Sequence, residues 1–259
     1  MTKERVKKYA IKHRIRVLTL NVVMNIKFLN YNYEYLMFYP VNQFVETIQG
    51  EGVYAGVPAI FIRLQGCPVG CSWCDTKYTW EHSPKYEVSI NDIMMKSEEN
   101  DEWCWAASEQ ILTIMRNSNY TARHVVITGG EPCIHDLRPL TKLMSTESLS
   151  CQIETSGTHE ILCSEETWVT VSPKINMKGK MNVLESSLMR SDELKHPVSR
   201  NSDIENLDKL LGLLNDKKQR LISLQPISQK ETSTKLCIKT CIARNWRLSI
   251  QMHKYLNIA

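Results

Sequence analysis

The 259-residue sequence has no apolar run long enough to cross a bilayer, which takes about 20 residues. Residues 17–26 come nearest to a targeting signal, because they follow basic residues. Asn21 and Asn25 interrupt that stretch, however, Lys27 closes it, and no small-residue cleavage site follows. After Met37 there is no internal repeat, low-complexity tract or Pro- and Gly-rich linker, which favours one domain. A strong charge bias is missing too: the formal net charge is +4, and residues 1–36 carry 8 Lys and Arg against 2 Asp and Glu, so the rest of the chain is slightly acidic. That leaves no electrostatic footprint for nucleic acid. Nor is there the paired framework of a small secreted domain, since three of the 9 cysteines are tightly clustered and six are scattered. A reducing, cytoplasmic compartment is the expectation. Residues 1–36 are expected to be a basic extension outside the fold, with Met37 as the working first residue and 37–259 as the single domain.

What is present is an alternation of short β-rich runs and helical periodicities, in a chain that is 42% hydrophobic and 23% charged, as soluble globular proteins are. Residues 59–64, 124–128, 150–154, 168–172, 220–225 and 247–251 read as buried strands. Between them, Ile204, Leu207, Leu210, Leu211 and Leu214 share a helical face, as do Ile111, Leu112 and Met115 behind a candidate cap at Ser108. Alternation of this kind predicts an α/β fold with a parallel sheet. Polar or Gly- and Pro-rich residues cluster past the strand ends, in Thr128-Gly129-Gly130-Glu131, Glu154-Thr155-Ser156, Ser172-Pro173-Lys174 and Gln225-Pro226. In an α/β barrel that edge binds ligands, so a full or partial barrel with its site on the C-terminal rim is the fold expectation.

Cys67, Cys71 and Cys74 follow the first of these strands in Gly66-Cys67-Pro68-Val69-Gly70-Cys71-Ser72-Trp73-Cys74, a loop able to aim three thiolates at one centre. Structural zinc would want a fourth protein ligand, and none sits at close spacing. An iron-sulfur cubane held by three thiolates leaves one iron open to a small-molecule ligand. Zinc and three incidental cysteines stay open as alternatives. Cys104, Cys133, Cys151, Cys163, Cys237 and Cys241 read as small apolar packing residues, with Cys237 and Cys241 on one helical face.

Thr128-Gly129-Gly130-Glu131-Pro132 resembles the glycine-rich loop with which radical S-adenosylmethionine (SAM) enzymes hold the methionine amino group, with Glu131 as its anchor. More specific are Glu46-Thr47-Ile48-Gln49-Gly50-Glu51-Gly52, the run from Pro58 to Cys67, and Asp75-Thr76-Lys77-Tyr78-Thr79-Trp80. Together with Tyr120-Thr121-Ala122-Arg123-His124 and Leu224-Gln225-Pro226-Ile227-Ser228-Gln229, they resemble the 7-carboxy-7-deazaguanine synthase family in its enterobacterial-type branch, from about Met37 to Ala259.

The resemblance implies a homodimer with an incomplete α/β barrel, a 4Fe-4S cluster, SAM, a magnesium ion (Mg2+) and the substrate 6-carboxy-5,6,7,8-tetrahydropterin. By analogy, a 5′-deoxyadenosyl radical takes hydrogen from C6 of the pterin, and ring contraction with loss of ammonia gives the deazapurine. Cys67, Cys71 and Cys74 would hold the cluster and Thr76 the magnesium. Trp73, Cys74, Asp75, Gly130, Ser172, Pro173, Lys174, Gln225, Pro226, Ile227 and Ser228 would contact SAM, and Ile48, Gln49, Gly50, Arg63 and Thr128 the substrate. Glu51 reads equally as a pterin contact or a salt bridge. The final run, from His253 on, is expected to close over the site with the terminal carboxylate near the substrate. A flavodoxin or ferredoxin would supply electrons, and no nucleic acid or membrane partner is expected. The rivals are an activating enzyme that installs a glycyl radical, and a non-catalytic iron-sulfur or zinc module in which Trp103 and Trp105 could form a partner patch.

Overall fold

Residues 37–256 are described by the structure, a computed structural model, and all belong to one compact unit. The expectations for residues 1–36 and for the terminal carboxylate lie outside the described residues. Among those residues nine strands form one sheet: β1 (Phe38–Ile48), β2 (Pro58–Leu64), β3 (Cys104–Ala107), β4 (His124–Gly129), β5 (Ser150–Thr155), β6 (Trp168–Val171), β7 (Glu193–Val198), β8 (Leu221–Pro226) and β9 (Arg247–Leu248), in the order β3-β1-β2-β4-β5-β6-β7-β8-β9. From β2 to β9 every pairing is parallel, while β1 runs antiparallel to both β2 and β3. β3 and β9 remain as edges, so the barrel is incomplete.

The helices are α1 (Ile90–Met94), α2 (Ser108–Asn117), α3 (Arg138–Thr146), α4 (Glu185–Arg190), α5 (Asn201–Leu211), α6 (Glu231–Arg244) and α7 (His253–Leu256). Their apolar stripes cover one sheet face: Ile111, Leu112 and Met115 of α2 and Leu140 and Met144 of α3 pack on Val125, Ile127 and Ile153. Ile204 and Leu207 of α5 meet Cys237 and Cys241 of α6 over Val198 and Leu224, as their shared helical face predicts. Period-2 alternation sends the intervening residues to the opposite face, and there the strands are polar. Gln152 of β5 donates to Thr170 of β6 (3.1 Å), Thr170 to Glu193 of β7 (3.3 Å), and Ser223 of β8 to Glu193 (2.5 Å). The interior of the partial barrel is thus a hydrogen-bonded polar layer, and buried polar groups are tolerable only when satisfied in this way.

Two details differ from expectation. Ser108 is the first residue of α2 rather than its cap: its hydroxyl donates to the Met37 carbonyl, and Gln110 instead accepts from the Ala107 amide at 2.9 Å. The last strand spans only Arg247–Leu248; the Ser249 amide still donates to the Leu224 carbonyl (2.9 Å), and the chain then leaves the sheet toward the site. Trp103 is buried, donates to the Ser83 carbonyl at 2.9 Å, and packs edge-on against His82 and Trp105, which makes it core.

Candidate active site

A cavity of about 530 Å³ opens at the C-terminal ends of the parallel strands. It gathers residues from most of the stretches singled out in the sequence, though not from residues 120–124: Cys67, Trp73 and Asp75 from the cysteine loop, Gly130 from the turn after β4, Lys174 from beyond β6 and Ser228 from beyond β8. Cys71, Cys74, Thr76, Ser172, Gln225 and Ile227 also line it, as do Ile48, Gln49, Gly50, Arg63 and Thr128. Pro173 and Pro226 do not; both are buried in the backbone between lining neighbours.

The cysteine loop is held at both ends. The Gly66 amide donates to the Thr79 carbonyl (2.7 Å) and the Cys67 amide to that of Trp80 (3.0 Å), while Gly70, at φ +71°, makes the turn between Cys67 and Cys71. The turn after β4 presses against this loop, because the Glu131 amide donates to the Gly66 carbonyl at 2.9 Å. Glu131 itself is buried, and its carboxylate accepts from the Cys133 amide (3.0 Å), the Thr155 hydroxyl (2.6 Å), and the Ser156 amide (2.8 Å) and hydroxyl. That anchor ties the glycine turn to the end of β5.

Three sulfur donors on one cavity wall suit a cluster. Among the described residues no three or more His, Cys, Asp or Glu side chains converge around a single metal ion, whereas a cubane, being larger than one ion, takes its thiolates at wider separation. Burial pushes the Cys67 thiol up to about 11, and raises Cys71 too, with Lys174 opposing it. A positively charged iron centre supplies the attraction that removes such protons. The residues therefore fit the group.

Across the cavity lies a charged triad. Lys195 on β7 bridges Glu51 (2.6 Å) and Glu154 of β5 (2.9 Å), and its side chain is 5% exposed. Burial alone would raise the Glu51 carboxyl; the Lys195 ammonium, with help from Gln251, outweighs it and holds Glu51 down to about 2. For Glu154 burial prevails over the same ammonium, and the carboxyl is pushed up to about 7. Glu51 thus forms the salt bridge that was one of its two readings, while its side chain still lines the cavity. Gln49 is committed as well: its amide donates to Gln152 (3.1 Å) and accepts from the Glu51 amide (3.1 Å). Arg63 gives Nε to Gln43 (3.1 Å). Gln251 donates to both Glu51 (2.9 Å) and Asp75 (3.0 Å), Lys254 pairs with Asp75 (3.1 Å), and the Met252 amide donates to the Gly50 carbonyl (3.0 Å). The C-terminal segment therefore does close over the site as far as it is described.

Glu154, Lys195, Trp80 and Gln251 line the cavity without having been assigned from sequence. Glu154 carried a signal, as a carboxylate at a strand end. Lys195 carried none, because β7 was not recognised.

Comparisons with known proteins agree with this geometry. A family model described as "4Fe-4S single cluster domain" matches residues 48–185. A 7-carboxy-7-deazaguanine synthase of Escherichia coli (strain K12) is 63% identical over 223 residues, covering 86% of this chain and 100% of the relative. The synthase of the same name from Buchnera aphidicola is 51% identical over 222 residues, 86% of this chain and 100% of the relative. The crystal structure of QueE from Escherichia coli matches with a TM-score of 0.81 and 62% identity, covering 83% of this chain and 94% of that one. With the cysteine loop, the glycine turn and the strand-end residues lining one cavity, the chain belongs to the 7-carboxy-7-deazaguanine synthase family.

Proposed function

We propose that this chain converts 6-carboxy-5,6,7,8-tetrahydropterin to 7-carboxy-7-deazaguanine with loss of ammonia, as a radical SAM lyase of queuosine (7-deazapurine) biosynthesis. The observation that carries the reading is that one cavity joins the three cysteines to Arg63 and to the carboxylates of Glu51 and Glu154. A 4Fe-4S cluster with SAM, when bound, supplies one-electron hydrogen abstraction, and the rest is binding and positioning by the protein.

Cys67, Cys71 and Cys74 hold the cluster. Trp73, Asp75, Gly130, Ser172 to Lys174 and Gln225 to Ser228 receive SAM, the glycine turn letting backbone groups approach it. Thr76 is the protein ligand for magnesium, which favours oxygen donors. Arg63 clamps the pterin carboxylate through the nitrogens its bond to Gln43 leaves available, beside Ile48, Gln49, Gly50 and Thr128. The 2-amino-4-oxo pyrimidine half of a pterin presents adjacent N–H donors, and Glu51 and Glu154 are the cavity acceptors that suit them. The segment from Gln251 to Lys254 excludes water by bridging Glu51 and Asp75. Residues 37–259 form the catalytic domain of a cytoplasmic homodimer served by a small electron donor such as a flavodoxin or ferredoxin.

Steady-state kinetics of Arg63→Lys test the substrate assignment. A planar guanidinium pairs with a carboxylate through two parallel bonds, which lysine cannot reproduce. Loss of one charge-assisted bond, about 1.5–3 kcal/mol, should raise KM roughly 10- to 100-fold with a smaller change in kcat. Unchanged KM and kcat would remove Arg63 from the pterin site.

A further inference from the structure

Trp80 lines the cavity, and the assigned roles leave its chemistry unused. Its indole Nε1 lies 3.3 Å from Cys74 Sγ, within hydrogen-bonding range for sulfur, and its own carbonyl accepts the Cys67 amide at 3.0 Å. One residue thus grips both ends of the cysteine loop, through the backbone at the first cysteine and through the side chain at the last. An indole N–H can only donate, so the contact has one sense: Trp80 gives a hydrogen bond to the sulfur. The other side chain near that sulfur, Thr76, places Oγ1 at 3.6 Å but directs its proton to the Gly129 carbonyl (3.3 Å). Trp80 is half-buried and lines the same cavity as the three cysteines.

We propose that Trp80 sets the reduction potential of the cluster through this N–H···S bond, and is a positioning and tuning residue of the site. The proposal rests on the reading that Cys67, Cys71 and Cys74 hold a 4Fe-4S cluster. Reduction by one electron adds negative charge that is shared onto the ligand sulfurs. A donor already aimed at Cys74 stabilises that charge more than it stabilises the oxidised form, and hydrogen bonds to the sulfurs are among the terms that set cluster potentials. The bond therefore raises the potential and makes the cluster easier for a donor protein to reduce. Without it the same cluster is harder to reduce, even though all three ligands are intact.

The test is a redox titration of the anaerobically reconstituted full chain, followed by the electron paramagnetic resonance signal of the reduced cluster, with iron and sulfide counted in each sample. Trp80→Phe keeps a ring in place and removes the donor. Its reduction equilibrium should fall about tenfold, a shift of about 59 mV to more negative potential for one electron. A second variant carries β-(benzothiophen-3-yl)alanine at position 80, a near-isosteric bicycle with sulfur in place of N–H, and should show the same shift if Trp80→Phe fails to assemble. A purely structural role for Trp80 would lower iron content in Trp80→Phe and leave the potential of the isostere unchanged. Potentials equal to wild type in an iron-replete variant overturn the proposal. A wild-type protein that binds no iron and sulfide overturns instead the cluster reading beneath it.

Discussion

Lys195→Met is expected to lower the unfolding free energy by about 3–5 kcal/mol, the loss seen when one partner of a buried ion pair is removed and its counter-charge is stranded. The expectation follows from where the ammonium sits: between Glu51 and Glu154, inside a polar layer. Methionine fills similar volume, so the loss is electrostatic rather than a cavity effect. The sign with pH follows from the shifts. Glu51 is depressed from an ordinary 4.5 to about 2, so its contribution is present above pH 4.5 and lost as pH falls toward 2. Lys195 would be lowered by burial, but the two carboxylates outweigh that and raise it, so its contribution is full below 10.5 and lost as pH climbs through its elevated value. Glu154, pushed up to about 7, has the opposite sense: stability declines as pH rises from 4.5 to 7. In Lys195→Met both carboxyls can relieve their burial by taking protons, so the deficit should be largest near pH 8 and shrink toward pH 5. Urea unfolding at those two values measures it. A pH-independent loss under 1 kcal/mol would mean the triad does not hold this end of the barrel together.

Gly130→Ala is expected to reduce kcat/KM by about 100-fold or more, with Gly212→Ala as a near-neutral control. A Cβ on Gly130 would fall on the carbonyl of Gly66 and lie 3.1 Å from its amide nitrogen. Both obstacles are backbone, so the glycine turn and the cysteine loop must separate to make room. Displacing reacting groups by about 1 Å can cost on the order of 100-fold in rate, and these two loops are the ones assigned to SAM and to the cluster. At Gly212, past the end of α5, the same atom would meet helix carbonyls at 3.4 Å, and Gly212 is not among the residues lining the cavity. Iron content should stay near wild type in both variants, which separates misalignment from failure to assemble. Near-normal kcat/KM in Gly130→Ala would show that the loops tolerate separation.

The site was legible in the sequence wherever its residues are neighbours in the chain. The cysteine loop, the glycine turn and Ile48 to Glu51 are each contiguous, and the first two sit after strands whose apolar run is plain. The parallel core strands were legible for the same reason: His124–Gly129 is buried through its first four residues on both faces, as a central parallel strand should be. What stayed hidden is what the fold itself creates. β7 carries Glu193 and Lys195, which look like a solvated face until the barrel interior supplies Glu51, Glu154, Ser223 and Thr170 as partners. β1 mixes Pro40, Asn42 and Gln43 into its core pairing, and Asn42 is satisfied by Gln65 and by backbone carbonyls of residues 100 and 102. Gln251 reaches Glu51 and Asp75 across two loops distant in sequence. Trp80 lies within a stretch read for its resemblance, but only the fold shows its indole at Cys74.

The central claim is that this one cavity binds cluster, SAM and pterin together and contracts the pterin ring. Mass spectrometry of the products after anaerobic incubation of reconstituted protein with 6-carboxytetrahydropterin, SAM, magnesium and a reductant tests it most directly. The account predicts 7-carboxy-7-deazaguanine with ammonia released in equal amount. Accumulation of 5′-deoxyadenosine with the pterin untouched would contradict it.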